Sequence, residues 1–141
     1  MTDTSDFSDD EIFAKYRKRR INDFKKQKEV KELKTEEELM KKSMSDTMIV
    51  HFYKEEFLRC KIMNEALERV CHKFRDIDFY KAKAENCLVI TEKLNIQALP
   101  FLGFFHKGFF VDYIVGFEKI GENELKEEEL ISFIKNSNIY K

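Results

Sequence analysis

The chain has 141 residues, 43% of them hydrophobic and 38% charged, which is enough apolar material for one core and sets a single-domain expectation. A net charge of −1 creates no global field to draw it to nucleic acid or to a membrane. Three cysteines without a CxxC pair or a Cys/His cluster at zinc spacing give neither a disulfide framework nor a metal centre.

The first eleven residues, MTDTSDFSDDE, carry acids where a signal peptide needs basic residues and then an apolar run. No stretch approaches the roughly 18 apolar residues of a membrane span, so a reducing, cytoplasmic or nucleocytoplasmic setting is expected. Ser8 and Glu11 have the spacing of a capping box, which predicts a long charged helix from about Asp9 to about Leu33. Residues 12–34 hold ten Lys/Arg against three acids, Asp23, Glu29 and Glu32. The apolar pairs Phe13/Tyr16, Ile21/Phe24 and Val30/Leu33 drift around such a helix without forming one broad stripe. Three readings remain open for residues 1–34: a solvated helix, an arm that docks a partner, or a phosphate-binding cluster at Arg17, Lys18, Arg19 and Arg20. Neighbouring acids weaken the last reading.

A second capping pattern at Thr35–Glu38 opens a short helix ending near Lys42 to Ser45, and the globular domain, residues 35–141, is expected to start here. Met48–Tyr53 is a continuous apolar run of strand length, as in a strand buried on both faces. From Cys60, the positions Ile62, Met63, Ala66, Leu67, Val70, Cys71 and Phe74 follow helical spacing, and the opposite face carries Glu65, Glu68, Arg69 and Lys73. A strand over Asp76–Ala84, a short helix over Glu85–Leu94 and strands over Leu99–Phe105 and Phe109–Val115 follow. Lys107-Gly108 fits a tight hairpin between the last two. A final helix uses Leu125, Leu130, Phe133 and Ile134, with acids gathered at its positive N-terminal end. The predicted order is β-α-β-α-β-β-α. The four glycines, at 103, 108, 116 and 121, are expected at turns and strand ends, with Gly116 at a strand-end bulge. None forms a phosphate loop. His51, His72 and His106 share no ligand spacing and are expected to serve packing or surface roles.

A βαβ unit followed by a ββα unit on one mixed sheet is the thioredoxin layout, a three-layer α/β/α fold. Leu99-Pro100-Phe101-Leu102, with the only proline of the chain, resembles the segment of thioredoxins in which a cis-proline faces the active-site loop. HFYKEEFLRCKIMNEAL (51–67), AENCLVITEKLNIQALPFL (84–102) and KGFFVDYIVGFEKIG (107–121) resemble, in order and spacing, the phosducin-like family, within it the thioredoxin-domain-containing protein 9 type.

Dithiol thioredoxins carry W-C-x-x-C-K at this loop, and aligning Cys60-Lys61 on its last two residues puts Phe57 where the attacking cysteine belongs. Only the resolving position remains. Cys71 lies eleven residues further along the predicted helix, about 16 Å up its axis and beyond the roughly 7 Å reach of a disulfide. Cys60 reads either as a small residue kept with the fold or as a monothiol redox or sensor group. The resemblance implies a protein that is not an enzyme, with no cofactor, no metal and no catalytic residue. It implies a monomeric co-chaperone that binds the cytosolic chaperonin, the TCP-1 ring complex, with actin or tubulin as client. Arg17, Lys18, Arg19, Arg20, Phe57, Arg59, Leu99 and Pro100 are the residues expected to meet that partner, with no role for nucleic acid or membrane.

Overall fold

The computed structural model describes residues 29–140. Strand β1 (Lys31–Glu32) is followed by α1 (Glu36–Ser45), β2 (Thr47–Tyr53), α2 (Leu58–Val70), β3 (Asp78–Lys83), α3 (Leu88–Lys93), β4 (Phe101–His106), β5 (Phe109–Val115) and α4 (Glu127–Asn136). Short 3-10 turns lie at Cys71–Lys73, Ala84–Asn86 and Asn138–Tyr140. The strands form one mixed sheet in the order β1-β3-β2-β4-β5, with β1 and β2 parallel to β3 and β4 antiparallel to β2 and β5.

Alternation along β2 divides the core in two. Ile49 points to the α2/α4 face and packs with Met63, Leu67, Phe104, Leu130 and Ile134. Met48, Val50 and Phe52 point to the α1/α3 face, with Leu39, Tyr80, Ile90, Phe101 and Phe105. Six of the seven β2 residues are buried, as a central strand covered on both sides requires. Helices on both faces give the α/β/α layering.

Local sequence sets the boundaries. The Thr35 hydroxyl accepts the Glu38 amide at 3.1 Å and starts α1 where the capping pattern predicts. Lys107 and Gly108 both have positive φ, 45° and 95°, as a two-residue hairpin demands. The α2 stripe is buried as its period requires, although the last turn tightens into 3-10 geometry before Phe74.

Three expectations are corrected. The helix expected from Asp9 lies mostly outside the described residues, as do Arg17–Arg20, but its far end is not helical. Lys31 and Glu32 pair with Tyr80 and Lys81, and the Leu33 amide donates to the Lys81 carbonyl at 2.8 Å. Val30 and Leu33 share a face only on a helix. In extended backbone an odd separation puts them on opposite faces, and here Val30 enters one core and Leu33 the other. Gly103 is not at a strand end. It sits inside β4, where a Cβ would come within 3.1 Å of the Phe105 ring and 3.4 Å of Phe52 and Phe110, so it makes room for aromatic packing. Gly116 is not a bulge either, because the register shift falls between Phe104 and Phe105. Gly116 leaves β5 at φ 60° and donates its amide to the Pro100 carbonyl at 2.7 Å.

Candidate functional site

The loop after β2 and the start of α2 carry the thioredoxin-like position. Phe57 is the residue before the first turn of α2 and makes no side-chain cap, while the Cys60 and Lys61 amides donate to its carbonyl at 3.1 and 3.2 Å. Its ring is exposed and lies 5.7 Å from the Lys54 ammonium. Cys60 is fully buried. Burial pushes its thiol above the ordinary value, and a hydrogen bond with the Lys54 backbone offsets this only in part. A nucleophilic or sensing thiol needs an accessible, stabilised thiolate, and the Cys60 environment supplies neither. Cys87 follows the same logic, with burial and then the Glu36 charge pushing it up to about 11. All three cysteines are buried.

The remaining expected residues divide between surface and interior. Arg59 is exposed, yet its guanidinium lies 4.5 Å over the Phe117 ring and donates to the Asn123 carbonyl at 3.2 Å, which fastens the start of α2 to the segment before α4. Pro100 follows a cis peptide bond and is buried, whereas Leu99 is half-buried. Leu99 lines a groove of about 340 Å³ with Lys54, Ala84, Leu88, Ile96 and Ala98. Through Lys54 this groove reaches Phe57. The structure therefore brings Phe57 and Leu99 to one face, leaves the Pro100 ring beneath it and uses Arg59 to hold the fold together.

Sequence reasoning missed exposed apolar residues at the starts of α2 and α3. Leu58 and Leu88, at the first positions of α2 and α3, are each 70% exposed, and Val89 is open beside Leu88. Both leucines fall outside the buried stripe of their helix, and an apolar residue off the stripe in a first turn is the signal that marks them. The Ile90 amide of α3 is already capped by the Glu36 carboxylate. Among the described residues, no group of three or more His, Cys, Asp or Glu is placed to hold a metal ion.

Behind the site, His51 on β2 is completely buried and places its Nδ1 2.7 Å from Oδ1 of Asn64 on α2. Nδ1 therefore donates to the amide oxygen. Nε2 is left as a buried acceptor without a protein partner. Burial, opposed by that hydrogen bond and assisted by the Lys81 charge, holds His51 neutral with its pKa pushed down to about 4.

The thioredoxin family model matches residues 25–136 of this chain. Phosducin-like protein 3 of Dictyostelium discoideum is 34% identical over 146 residues, covering 95% of this chain and 79% of the relative. Human thioredoxin domain-containing protein 9 is 31% identical over 80 residues, which span 57% of this chain but only 35% of that protein. Among solved structures, the thioredoxin of Plasmodium falciparum superposes with a TM-score of 0.64 at 22% identity, over 75% of this chain and 97% of that one. The thioredoxin of Trypanosoma brucei brucei does so at 0.63 and 20%, over 79% and 96%.

Proposed function

This chain belongs to the thioredoxin family, in its phosducin-like branch, and on that footing we propose that it is a non-catalytic co-chaperone of the cytosolic chaperonin, the TCP-1 ring complex. The observation that carries this reading is the state of the vestigial redox loop. A phenylalanine stands where a thioredoxin has its attacking thiolate, the remaining cysteine is buried, and the starts of α2 and α3 expose Phe57, Leu58, Leu88 and Val89. A face that has lost its chemistry but keeps apolar residues open is suited to docking. The basic segment containing Arg17, Lys18, Arg19 and Arg20 adds salt-sensitive attraction to an acidic partner surface, and the fold supplies specificity. Actin or tubulin, held by the chaperonin, is the client whose folding is modulated, and the cytoplasm, with access to the nucleus, is the setting. The monothiol alternative at Cys60 needs a thiolate near neutral pH, which burial opposes.

Co-sedimentation with purified chaperonin tests this. Wild type and Cys60→Ser are expected to bind equally. The pair Leu58→Ser and Leu88→Ser is expected to weaken binding by about tenfold or more, as loss of central apolar contacts does. Failure of the wild type to bind, or loss of binding with Cys60→Ser in a folded protein, removes the proposal.

A further inference from the structure

The start of α2 runs against the usual chemistry of helix N-termini. Phe57 gives it no side-chain cap and no acid lies in its first turn, yet that turn carries a cation, Arg59, at the end where the helix dipole is positive. A helix begun in this way needs support from another part of the chain, and Arg59 makes the connection. Its guanidinium lies 4.5 Å over the Phe117 ring and donates to the Asn123 carbonyl at 3.2 Å, and a planar, delocalised cation can do both at once. Phe117 and Asn123 belong to a loop that is itself closed. Phe117 is buried and its carbonyl accepts the Ile120 and Glu122 amides at 3.1 and 2.9 Å, while the Ile120 carbonyl accepts the Lys126 amide at 2.9 Å. A Cβ on Gly121 would lie 1.9 Å from the Glu124 carbonyl oxygen, so the turn closes only around glycine. Lys119 and Glu122 hold φ of 69° and 68°, a backbone cost that persists where the surroundings fix the chain. At its other end the loop is tied to the segment before β4, because the Gly116 amide donates to the Pro100 carbonyl at 2.7 Å. A continuous path of contacts thus runs from Pro100 through Gly116 and Phe117 to Arg59, and the residue before Arg59 is the exposed Leu58.

We infer that Arg59 is a positioning residue for docking and not itself a contact of the partner, and that the loop over residues 116–126 is the bridge through which it sets the first turn of α2 against the Leu99-Pro100 segment. Two features choose this role over direct contact. One face of the guanidinium and one of its donors are already committed within the chain, so a partner carboxylate would have to compete with the Phe117 ring and the Asn123 carbonyl. A cation at the positive end of a helix opposes that helix, so its place in the first turn is explained by what it ties together elsewhere. The role in docking rests on the reading of Phe57 and Leu58 as partner-facing, whereas the bridge is a property of the free protein.

Amide hydrogen exchange of the full chain tests the bridge. It is read at Cys60 and Lys61, whose amides close the first turn on the Phe57 carbonyl, with Ile49 and Val50 of β2 as the reference for global opening. Helix dipole and propensity alone predict that Arg59→Gln leaves the Cys60 and Lys61 amides as protected as before, or more so. The bridge predicts the opposite sign: exchange about threefold to tenfold faster at Cys60 and Lys61, with Ile49 and Val50 unchanged. Gly121→Ala, which strains the loop and leaves Arg59 in place, is expected to speed exchange at Cys60 and Lys61 beyond any change at Ile49 and Val50. Unchanged or slower exchange at Cys60 and Lys61 in Arg59→Gln overturns the bridge. A double-mutant cycle on chaperonin binding tests the role in docking. Arg59→Gln is expected to weaken binding about threefold to tenfold in the wild-type background and less than about twofold in the Leu58→Ser background, because its effect passes through Leu58. Equal losses in the two backgrounds make Arg59 a partner contact and overturn the positioning role. A wild type that does not bind chaperonin removes the docking reading and the positioning role with it, while the exchange rates still decide the bridge, so the two failures are told apart.

Discussion

His51 is the residue at which a single proton matters most. Its Nε2 is buried with no acceptor in reach, Lys81 stands on the neighbouring strand, and Nδ1 is committed to Asn64, so the imidazolium has nowhere to place its second N–H. The sign follows from the two states. With a pKa near 4 in the fold against about 6.5 unfolded, the unfolded chain takes up the proton first, so stability is complete above pH 6.5 and is lost as pH falls towards 4. The loss approaches roughly 3 kcal/mol. Urea unfolding at pH 7 and at pH 4.5 is expected to show a drop in midpoint that is clearly smaller in His51→Gln. Identical pH slopes for the two proteins would mean that His51 charges freely inside the fold.

The exposed edge of β5 is covered in its middle by the short C-terminal turn, in addition to the register shift opposite Phe104 and Phe105. Asn138 donates its side-chain amide to the Val111 carbonyl and its backbone amide to the Asp112 carboxylate at 3.1 Å, and that carboxylate in turn accepts the Tyr113 amide. Asn138→Ala is therefore expected to free the middle of an aromatic-rich edge and to cause concentration-dependent self-association, read by light scattering coupled to size exclusion, with at most about 1–2 kcal/mol of lost stability. A variant that stays at the wild-type mass at all concentrations would show that the edge needs no such cover. This device could not be seen in the sequence, since it joins residues more than 25 positions apart, and neither Asp112 nor Asn138 stands out locally. Features whose cause is local were legible: the Thr35 cap, the unbroken period of α2, and the positive φ at Lys107-Gly108. At the candidate site, Phe57 and Cys60 could be singled out from the sequence, where a single missing thiol marks the departure from a dithiol thioredoxin. Leu58 and Leu88 could not, since their exposure depends on how two helix ends are set against the sheet. Lys31–Glu32 misled because Val30 and Leu33 have a separation that suits a helix face and a sheet edge equally well.

Taken as one molecule, the three thiols report on cooperativity. Cys71 belongs to the core on the α2/α4 face, Cys87 to that on the α1/α3 face and Cys60 to the redox-like loop, and all are buried. If the domain opens as a unit, a thiol reagent labels them at a common slow rate in water and in step with unfolding in urea. Cys60 labelling more than about tenfold faster than the other two would reveal independent opening of the first turn of α2, by about 1.4 kcal/mol or more relative to global unfolding. The parallel pairing of β1 with β3 has a further consequence, in time rather than in space. Lys31 finds its partner Tyr80 about 50 residues downstream, across a helix, the central strand and a second helix. Closing a loop of that length costs roughly 3 kcal/mol of chain entropy for a two-residue strand, so β1 joins only a β2–β3 platform that already exists. On a ribosome adding about 5–20 residues per second, Val30 and Leu33 leave the tunnel about 2–10 seconds ahead of the strand that buries them. Throughout that interval, two apolar residues that finish in the core are open to any chaperone waiting at the exit.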